Sequence, residues 1–309
     1  MPTRVETEVR IGGKALKISN LDKIFYPKVG FTKGQVIDYY IRVAKALLPH
    51  LKDRPLTLKR YPNGVEGEFF YEKRCPKYRP NWFKTATIWS EGNQANIDFC
   101  LANDLPSLVW AANLGDLELH TFLSRKQSPK RPTMMVFDLD PGPPADITNC
   151  VRVAFWLKDV LDRLKLKSFP KTTGSKGLQL YVPLNTPVTF DQTKLFARTL
   201  AQLLTRDHPD DVVYDMKKAL RTGKVLVDWS QNDDHKTTVC VYSLRAKERP
   251  TASAPLEWEE LERFKRGGKA EQLQFDSDAV LERVEKMGDL FEPVLSLKQK
   301  LPKVEQIGF

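Results

Sequence analysis

The feature that most constrains the fold of this chain is an apolar run that ends in two closely spaced acids. Residues 134–137 are apolar, Asp138 and Asp140 follow with one leucine between them, and Pro141-Gly142 interrupts the pattern. Alternate side chains of a strand lie on one face, so a strand here places both acids together beside a turn. Neighbouring carboxylates repel unless a cation lies between them, and an oxygen-only cluster suits Mg²⁺ or Mn²⁺. A strand end followed by an acidic turn is the simpler alternative, and these residues alone leave both open.

Length and composition place the chain among globular proteins. Its 309 residues are 41% hydrophobic and include six tryptophans, which is enough to bury a sizeable core as one large domain or two lobes. We expect a single domain over 1–309, because no internal repeat and no long linker interrupts the sequence. Apolar runs fall short of the roughly 18 residues that a membrane span needs, and the first residues lack a signal-peptide pattern. We therefore expect a cytoplasmic protein without a membrane partner.

The charge balance favours a polyanionic partner. Lysine and arginine outnumber the acids by 49 to 39, for a formal charge of +10. Such a surplus suits nucleic acid first, although many basic proteins bind nothing anionic. The four cysteines are far apart and form no C-x-x-C pair, so we expect neither a disulfide framework nor a zinc site.

Apolar periodicity and turn residues predict alternating strands and helices along the chain. The predicted strands cover a first strand within 1–19 after a ragged start, then 56–61, a hairpin over 85–100, 117–120, 178–182, 225–232 and 237–244. The predicted helices cover 33–51 with Thr32 as its cap, a segment from Asn103 to Leu114, 148–165, 191–206, 256–265 and 277–300.

Two further motifs bear on the acidic pair. Residues 172–177 contain small hydroxyl residues, two glycines and Lys176, a composition that holds phosphates through backbone N–H groups and a point charge. The glycine spacing is not that of a Walker loop, and an ordinary turn is the alternative. Asp228 lies inside the apolar run 225–229, where an unpaired charge is costly, so a metal shared with Asp138 and Asp140 would give it a partner. Together these parts predict a two-metal phosphoryl-transfer site that needs no side-chain nucleophile.

An aromatic and basic stretch precedes these motifs. Residues 69–74 place three aromatics beside a lysine and an arginine, which suits stacking on bases and neutralisation of phosphates. Three neighbouring aromatics in a strand are more often part of a core. The stretch alone leaves both interpretations open.

Seven motifs in order resemble one family. They are Asn20–Lys23, Lys59–Gly64, Phe137–Gly142, Gly174–Leu178, Val227–Asn232, Lys236–Thr238 and Tyr242–Arg245. Together they resemble the polymerase domain of bacterial DNA ligase D and its stand-alone prokaryotic relatives, within the archaeo-eukaryotic primase superfamily. The resemblance covers about residues 15–295. It implies an α+β fold of the primase-polymerase type, in which a mixed or antiparallel β-sheet forms the catalytic core and helices flank it, with helices of 256–300 packed on that core.

The resemblance also implies site residues. The metal-binding catalytic triad would be Asp138, Asp140 and Asp228, with two divalent ions, Mn²⁺ or Mg²⁺. The nucleotide-binding residues would be His120, Thr173, Ser175, Lys176, Gln231 and Arg245. A pocket for the 5′-phosphate of the downstream strand would contain Asn20, Lys23 and Lys33, and template or DNA contacts would come from Lys59, Arg60, Phe70, Tyr71 and Arg221. The family usually has two phenylalanines where this chain has Phe70 and Tyr71. Gln179 stands where the wider superfamily has a histidine, so its role stays open.

The implied function is that of a template-directed DNA/RNA nucleotidyltransferase. It would fill gaps and extend 3′ ends at DNA breaks with NTP or dNTP, recognise a 5′-phosphate, prefer ribonucleotides, and act in non-homologous end joining beside Ku and an ATP-dependent DNA ligase. A primase, or a gap-filling repair polymerase outside end joining, is a second enzymatic interpretation. A non-catalytic module that bridges DNA ends is the alternative from another class, and the three acids within a basic chain argue against it.

Overall fold

A computed structural model describes residues 6–308. Its strands, in chain order, are β1 Glu6–Ile11, β2 Lys14–Ser19, β3 Ile24–Tyr26, β4 Phe31–Thr32, β5 Leu56–Arg60, β6 Phe70–Glu72, β7 Thr85–Ser90, β8 Ala95–Cys100, β9 Asp116–Thr121, β10 Met134–Pro141, β11 Phe169–Thr172, β12 Leu178–Pro183, β13 Val212–Val213, β14 Val225–Asp228 and β15 Thr238–Val239. Its helices are α1 Lys33–Leu51, α2 Leu105–Asn113, α3 Ile147–Arg163, α4 Phe190–Asp207, α5 Trp258–Lys265, α6 Ser277–Met287 and α7 Pro293–Ser296. The predicted α+β class is confirmed. Along residues 6–308, no helix combines the length and apolarity that crossing a membrane requires.

The described chain divides into two compact units. The first contains residues up to 127 together with 237–252 and 276–288, and the second contains 128–236, 253–275 and the residues from 289 onward. The expectation of one functional domain stays a prediction, and each unit is described by itself.

The first unit is built on a six-stranded sheet. Its order is β15-β9-β5-β8-β7, and β6 pairs with the other end of β5. Helices α1 and α2 pack against each other, and α6 packs on α1. The α1 cap is the predicted one, because the Thr32 side chain accepts a hydrogen bond from the Gln35 N–H and the Gln35 side chain reaches back to the Thr32 N–H.

The second unit carries the acidic strand at the centre of a five-stranded sheet. The order is β11-β12-β10-β14-β13, and every pairing is antiparallel except β13 with β14. A core of aliphatic side chains from β10, β12, β14, α3 and α4 covers one face of this sheet. Because β10 is buried at every position except 138 and 140, the apolar side anchors the strand and the acidic side remains accessible.

Three predicted elements differ from the structure. The expected helix 277–300 ends at Met287, because Gly288 adopts a positive φ of 71° and Pro293 begins the separate short helix α7. The expected strand 237–244 is only two residues long, because the chain turns after Cys240 through the Ser243 N–H to Cys240 C=O bond. The expected strand 225–232 stops at Asp228.

The N-terminal and cysteine predictions also need correction. The single strand expected within 1–19 is a hairpin of β1 and β2 that turns at Gly12-Gly13, and residues 1–5 lie outside the described part of the chain. Cys75 and Cys100 form a disulfide with a Cα–Cα distance of 4.9 Å, so the expectation that the cysteines form no disulfide framework is wrong for this pair. Their separation of 25 residues carries no local signal, and the β7–β8 hairpin brings Cys100 to the segment after β6.

Candidate active site

The second unit brings the three predicted metal ligands onto neighbouring strands. Asp138 and Asp140 lie on the same face of β10, and Asp228 at the end of β14 is the cross-strand partner of Asp138. Residues 90 positions apart in sequence thus become adjacent through strand pairing. Burial, together with the charge of Asp228, raises the pKa of Asp138 to about 6. This site is therefore built so that a cation would relieve its unfavourable charge.

Hydrogen bonds hold Asp228 in place. The Ser230 N–H and hydroxyl donate to one carboxylate oxygen at 2.8 and 2.6 Å, and the Gln231 amide donates to the other at 3.1 Å. Lys236 donates to the Ser230 hydroxyl at 2.6 Å. Gln231, which the resemblance matches to nucleotide binding, thus contacts the third acid of the triad.

Two cations approach the remaining acid. Lys176 Nζ lies 3.2 Å and an Arg221 terminal nitrogen 3.5 Å from the Asp140 carboxylate. Arg221 also donates to the Met216 carbonyl at 2.6 Å, and Lys176 donates to the Pro141 carbonyl at 3.1 Å. The backbone around Arg221 passes so close to Gly142 that a side chain at position 142 would collide with the Arg221 carbonyl. Gly142 is therefore required for the approach of Arg221 to the acids.

The loop 173–177 has a defined internal structure. The Thr173 hydroxyl accepts from the N–H groups of Ser175 and Gly177 at 3.2 Å and donates to the Gly177 carbonyl at 3.1 Å. Gly174 has a positive φ of 66°. Thr173 therefore shapes the loop through its hydroxyl, while the Lys176 side chain is exposed beside Asp140.

Two further residues extend the acidic row across the sheet, namely Gln179, whose role the sequence left open, and Lys171, which the sequence analysis gave no role. The register pairs Asp138 with Gln179 on β12, and Gln179 with Lys171 on β11. The Gln179 side chain is hydrogen-bonded to Asp138, and Lys171, which is fully buried, donates to the Ser253 hydroxyl at 2.7 Å. The only sequence signal for Lys171 is its place directly before the motif 172–177. Gln179 therefore contacts an acid of the predicted triad.

Asn232 belongs to the motif Val227–Asn232, and the sequence predicts no role for it. Its fully buried amide accepts from the Val136 N–H at 2.9 Å and donates to the Val136 and Trp229 carbonyls at 2.7 and 2.9 Å. It thus ties the turn after Asp228 to the strand that carries Asp138 and Asp140.

Another acidic group lies nearby in sequence. Within the described residues, Asp233, Asp234 and His235 place ligand atoms within 4.8 Å of one another. Both acids already have lysine partners, Lys194 and Lys130, so ion pairing accounts for them.

In the first unit, the predicted 5′-phosphate residues line one cleft. This cleft of about 560 Å³ contains Asn20, Lys23 and Lys33, and Arg60 and Tyr78 also line it. Lys23 Nζ donates to the Pro62 carbonyl at 2.7 Å and to the Asn63 side chain at 2.8 Å, whereas Lys33 is buried and donates to the Ser19 carbonyl at 2.6 Å. Arg60 is ion-paired with Glu72 at 2.6 Å, and the two lysines beside it suit an anionic ligand.

The aromatic stretch is exposed rather than buried. Phe70 and Tyr71 on β6 are 52% and 60% exposed, and Phe69 beside them is 49% exposed. The core interpretation of this stretch is therefore wrong, and stacking on bases stays a prediction. Lys59 Nζ lies 4.8–5.5 Å from the ring centres of Tyr61, Phe69 and Tyr71.

His120 and Arg245 also belong to the first unit, and both contact Glu118, which sequence reasoning overlooked. His120 Nε2 lies 3.1 Å and Arg245 Nε 3.3 Å from the same Glu118 oxygen, and Lys59 Nζ lies 3.2 Å from it. Burial opposes ionisation of Glu118, but the His120 hydrogen bond and the Arg245 charge outweigh it and hold the pKa of Glu118 well below its usual range. Burial lowers the pKa of His120, against the opposing effect of Glu118, so the imidazole is neutral at pH 7.

The sequence profile of one family matches most of the chain. Residues 32–291 match the family described as LigD, primase-polymerase domain. The multifunctional non-homologous end joining protein LigD of Mycolicibacterium smegmatis is 38% identical over 283 residues, which are 90% of this chain and 36% of that protein. The bifunctional LigD of Bacillus subtilis is 33% identical over 93% of this chain and 47% of its own length. The chain thus spans about a third to a half of these two relatives.

A solved structure gives the same result. The polymerase domain of Mycobacterium tuberculosis ligase D in complex with DNA superposes with a TM-score of 0.85 at 37% identity, covering 92% of this chain and 99% of that one. The resemblance inferred from seven short motifs is thereby confirmed, and the chain belongs to the LigD primase-polymerase domain family, a family of nucleotidyltransferases.

Proposed function

We propose that this chain is a template-directed nucleotidyltransferase that fills gaps and extends 3′ ends at DNA breaks. The observation that carries the proposal is the pairing of Asp138 with Asp228, which adds a third acid to the Asp138–Asp140 face. Polymerase chemistry of this family uses divalent metal, and an all-carboxylate donor set in which the pKa of Asp138 is raised to about 6 fits such an ion. The metal ligands would be Asp138, Asp140 and Asp228, with Mn²⁺ or Mg²⁺. Such ions would supply activation of the 3′-hydroxyl and stabilisation of the leaving pyrophosphate.

The chain's own residues would bind and orient the substrates. Lys176 would exchange its contact with Asp140 for the triphosphate, because a phosphate oxygen is a stronger acceptor for an exposed ammonium once metal neutralises the acid. Ser175 would add loop donors, and Thr173 would act by keeping the loop in shape. Gln231 would hold Asp228 in the orientation that metal binding needs.

Recognition of the DNA end would lie in the first unit. Lys23, Lys33 and Asn20 would bind a 5′-phosphate in the cleft that they line, and Phe70 and Tyr71 would stack on the template. Lys59 and Arg60, which pair with Glu118 and Glu72, would contact the DNA beside these residues. The preference for ribonucleotides and the partnership with Ku and an ATP-dependent ligase rest on the family alone, as does a place at the nucleoid in the cytoplasm.

The test is primer extension on a duplex with a short gap. Wild-type protein should add the templated nucleotide when Mn²⁺ or Mg²⁺ is present, faster with rNTP than with dNTP, and more efficiently when the downstream end carries a 5′-phosphate. Asp138→Ala with Asp140→Ala should abolish extension. DNA binding without metal-dependent incorporation by the wild-type protein would instead favour a bridging module and overturn the proposal.

A further inference from the structure

The strongest unassigned feature is the buried carboxylate of Glu118. It lies in β9 between Lys59 on the adjacent strand β5 and His120 two residues further along the same strand face. Nitrogen atoms of Lys59, His120 and Arg245 lie 3.1–3.3 Å from one Glu118 oxygen, and the Arg245 contact is an ion pair rather than a hydrogen bond. The other Glu118 oxygen accepts hydrogen bonds from the Ala246 N–H at 3.1 Å and from Lys59 Nζ at 3.3 Å. One carboxylate thus joins three side chains that the family resemblance matches to substrate contacts.

Charge neutralisation does not account for this arrangement. Lys59 and Arg245 each carry a full positive charge, whereas Glu118 supplies one negative charge and His120 is neutral at pH 7. The group therefore keeps a net charge of about +1, although burying uncompensated charge is costly. A carboxylate that served only to cancel charge would be satisfied by a single cation. The geometry instead suits orientation of several donors at once.

The backbone on either side of Arg245 is fixed by the same neighbourhood. Glu118 accepts a hydrogen bond from the Ala246 N–H. The Tyr26 hydroxyl donates to the Arg245 carbonyl at 3.0 Å, and the Arg245 N–H donates to the Thr251 carbonyl at 2.8 Å. Long cationic side chains lose rotamer freedom on being ordered. An anchor that orders them before substrate arrives removes that loss from the binding step.

We propose that Glu118 is the positioning residue of the nucleotide-binding groups. Its carboxylate orients the Arg245 guanidinium and the Nε2 side of His120 so that both are arranged before the incoming nucleotide binds. Glu118 itself touches no substrate. This inference rests on the proposed polymerase function and adds to it a residue that acts through two others.

The test compares Glu118→Gln with wild type in single-nucleotide gap filling. Losing a charged hydrogen-bond partner should raise the nucleotide KM about tenfold or more, with kcat within about threefold, because ground-state orientation is lost. Asp53→Asn is the matched control. It converts a hydrogen-bonded carboxylate of the same unit to an amide at a positive-φ position that asparagine tolerates, and its KM should equal the wild-type value.

A double-mutant cycle separates positioning from a purely structural effect. If Glu118 acts through Arg245, then Glu118→Gln in the Arg245→Met background should raise KM by far less than in the wild-type background. A KM within twofold of wild type, equal effects in both backgrounds, or a parallel loss of 5′-phosphate-dependent DNA binding would each overturn the inference. If Glu118→Gln does not fold, Glu118→Asp keeps the charge but shortens its reach, and it should raise KM with an unchanged unfolding temperature; an unchanged KM would overturn the inference.

The polymerase function and the positioning role of Glu118 can fail separately. If wild-type protein incorporates no nucleotide with any divalent ion, the polymerase function fails and this inference fails with it. If wild type incorporates and Glu118→Gln does so with the same KM, only the positioning role fails.

Discussion

Asp138→Asn should stabilise the metal-free protein, and the gain should grow with pH. Burial and the Asp228 charge raise the pKa of Asp138 from 3.8 to about 6. The folded protein therefore holds a proton that the unfolded chain releases between these pH values, and stability falls as pH rises through that window. Asparagine carries no titrating proton and removes the penalty.

The magnitude follows from the two pKa values. One pH unit of difference corresponds to about 1.4 kcal/mol, so ionised Asp138 lowers the free energy of unfolding by about 3 kcal/mol above pH 7. At pH 5 only part of this penalty has developed, about 1.6 kcal/mol. The advantage of Asp138→Asn over wild type should thus increase by about 1.4 kcal/mol between pH 5 and pH 8.

Urea unfolding with a chelator at several pH values measures this difference. Asp159→Asn, at an exposed position of α3, is the control and should differ from wild type by less than about 0.5 kcal/mol throughout. Added Mn²⁺ should stabilise wild type and leave Asp138→Asn nearly unchanged. If the stability advantage of Asp138→Asn over wild type stays constant or shrinks from pH 5 to pH 8, the charge of Asp138 is not unfavourable in the metal-free protein and the reasoning is refuted.

Three further perturbations test separate parts of the molecule. Lys23→Glu should remove the preference for 5′-phosphorylated ends in a DNA-binding assay without affecting metal binding, and a retained preference would count against the phosphate cleft. Asn232→Ala should lower the free energy of unfolding by about 3 kcal/mol, since it leaves the buried Val136 N–H and C=O unpaired, and a loss below about 1 kcal/mol would disagree with that role. Cys75→Ser should cost about 3 kcal/mol under oxidising conditions by opening the loop closed with Cys100, and a wild-type protein indifferent to reductant would argue against the disulfide.

Local patterns were sufficient for much of the fold. The apolar run before Asp138 forms β10, and the cap Thr32 begins α1 where expected, because strand alternation and helix capping depend on neighbouring residues. Helix 277–300 was overextended because its apolar spacing continues past Gly288, whose backbone conformation ends the helix. Periodicity does not report that conformation.

The rest of the site depends on contacts between distant segments. Glu118 contacts Lys59 and Arg245, which lie 59 and 127 positions away in the sequence. Lys171 joins the acidic row only through the register of two antiparallel strand pairs. In sequence, Glu118 alternates with Leu117 and Leu119 as a polar position of a half-buried strand does, so nothing distinguishes it from a solvent-facing residue. A charge within an apolar run is conspicuous, so Asp228 could be identified from the sequence. Lysines are common beside loops, so Lys171 could not.

The measurement that tests the central claim most directly is templated addition of one nucleotide to a 5′-phosphorylated gapped duplex by wild type, Asp228→Asn and Asp159→Asn. The account predicts incorporation by wild type and Asp159→Asn only when a divalent ion is present, and at least a hundredfold slower incorporation by Asp228→Asn, with the fold intact by circular dichroism. Undiminished incorporation by Asp228→Asn, or incorporation by wild type in the presence of a chelator, would contradict it.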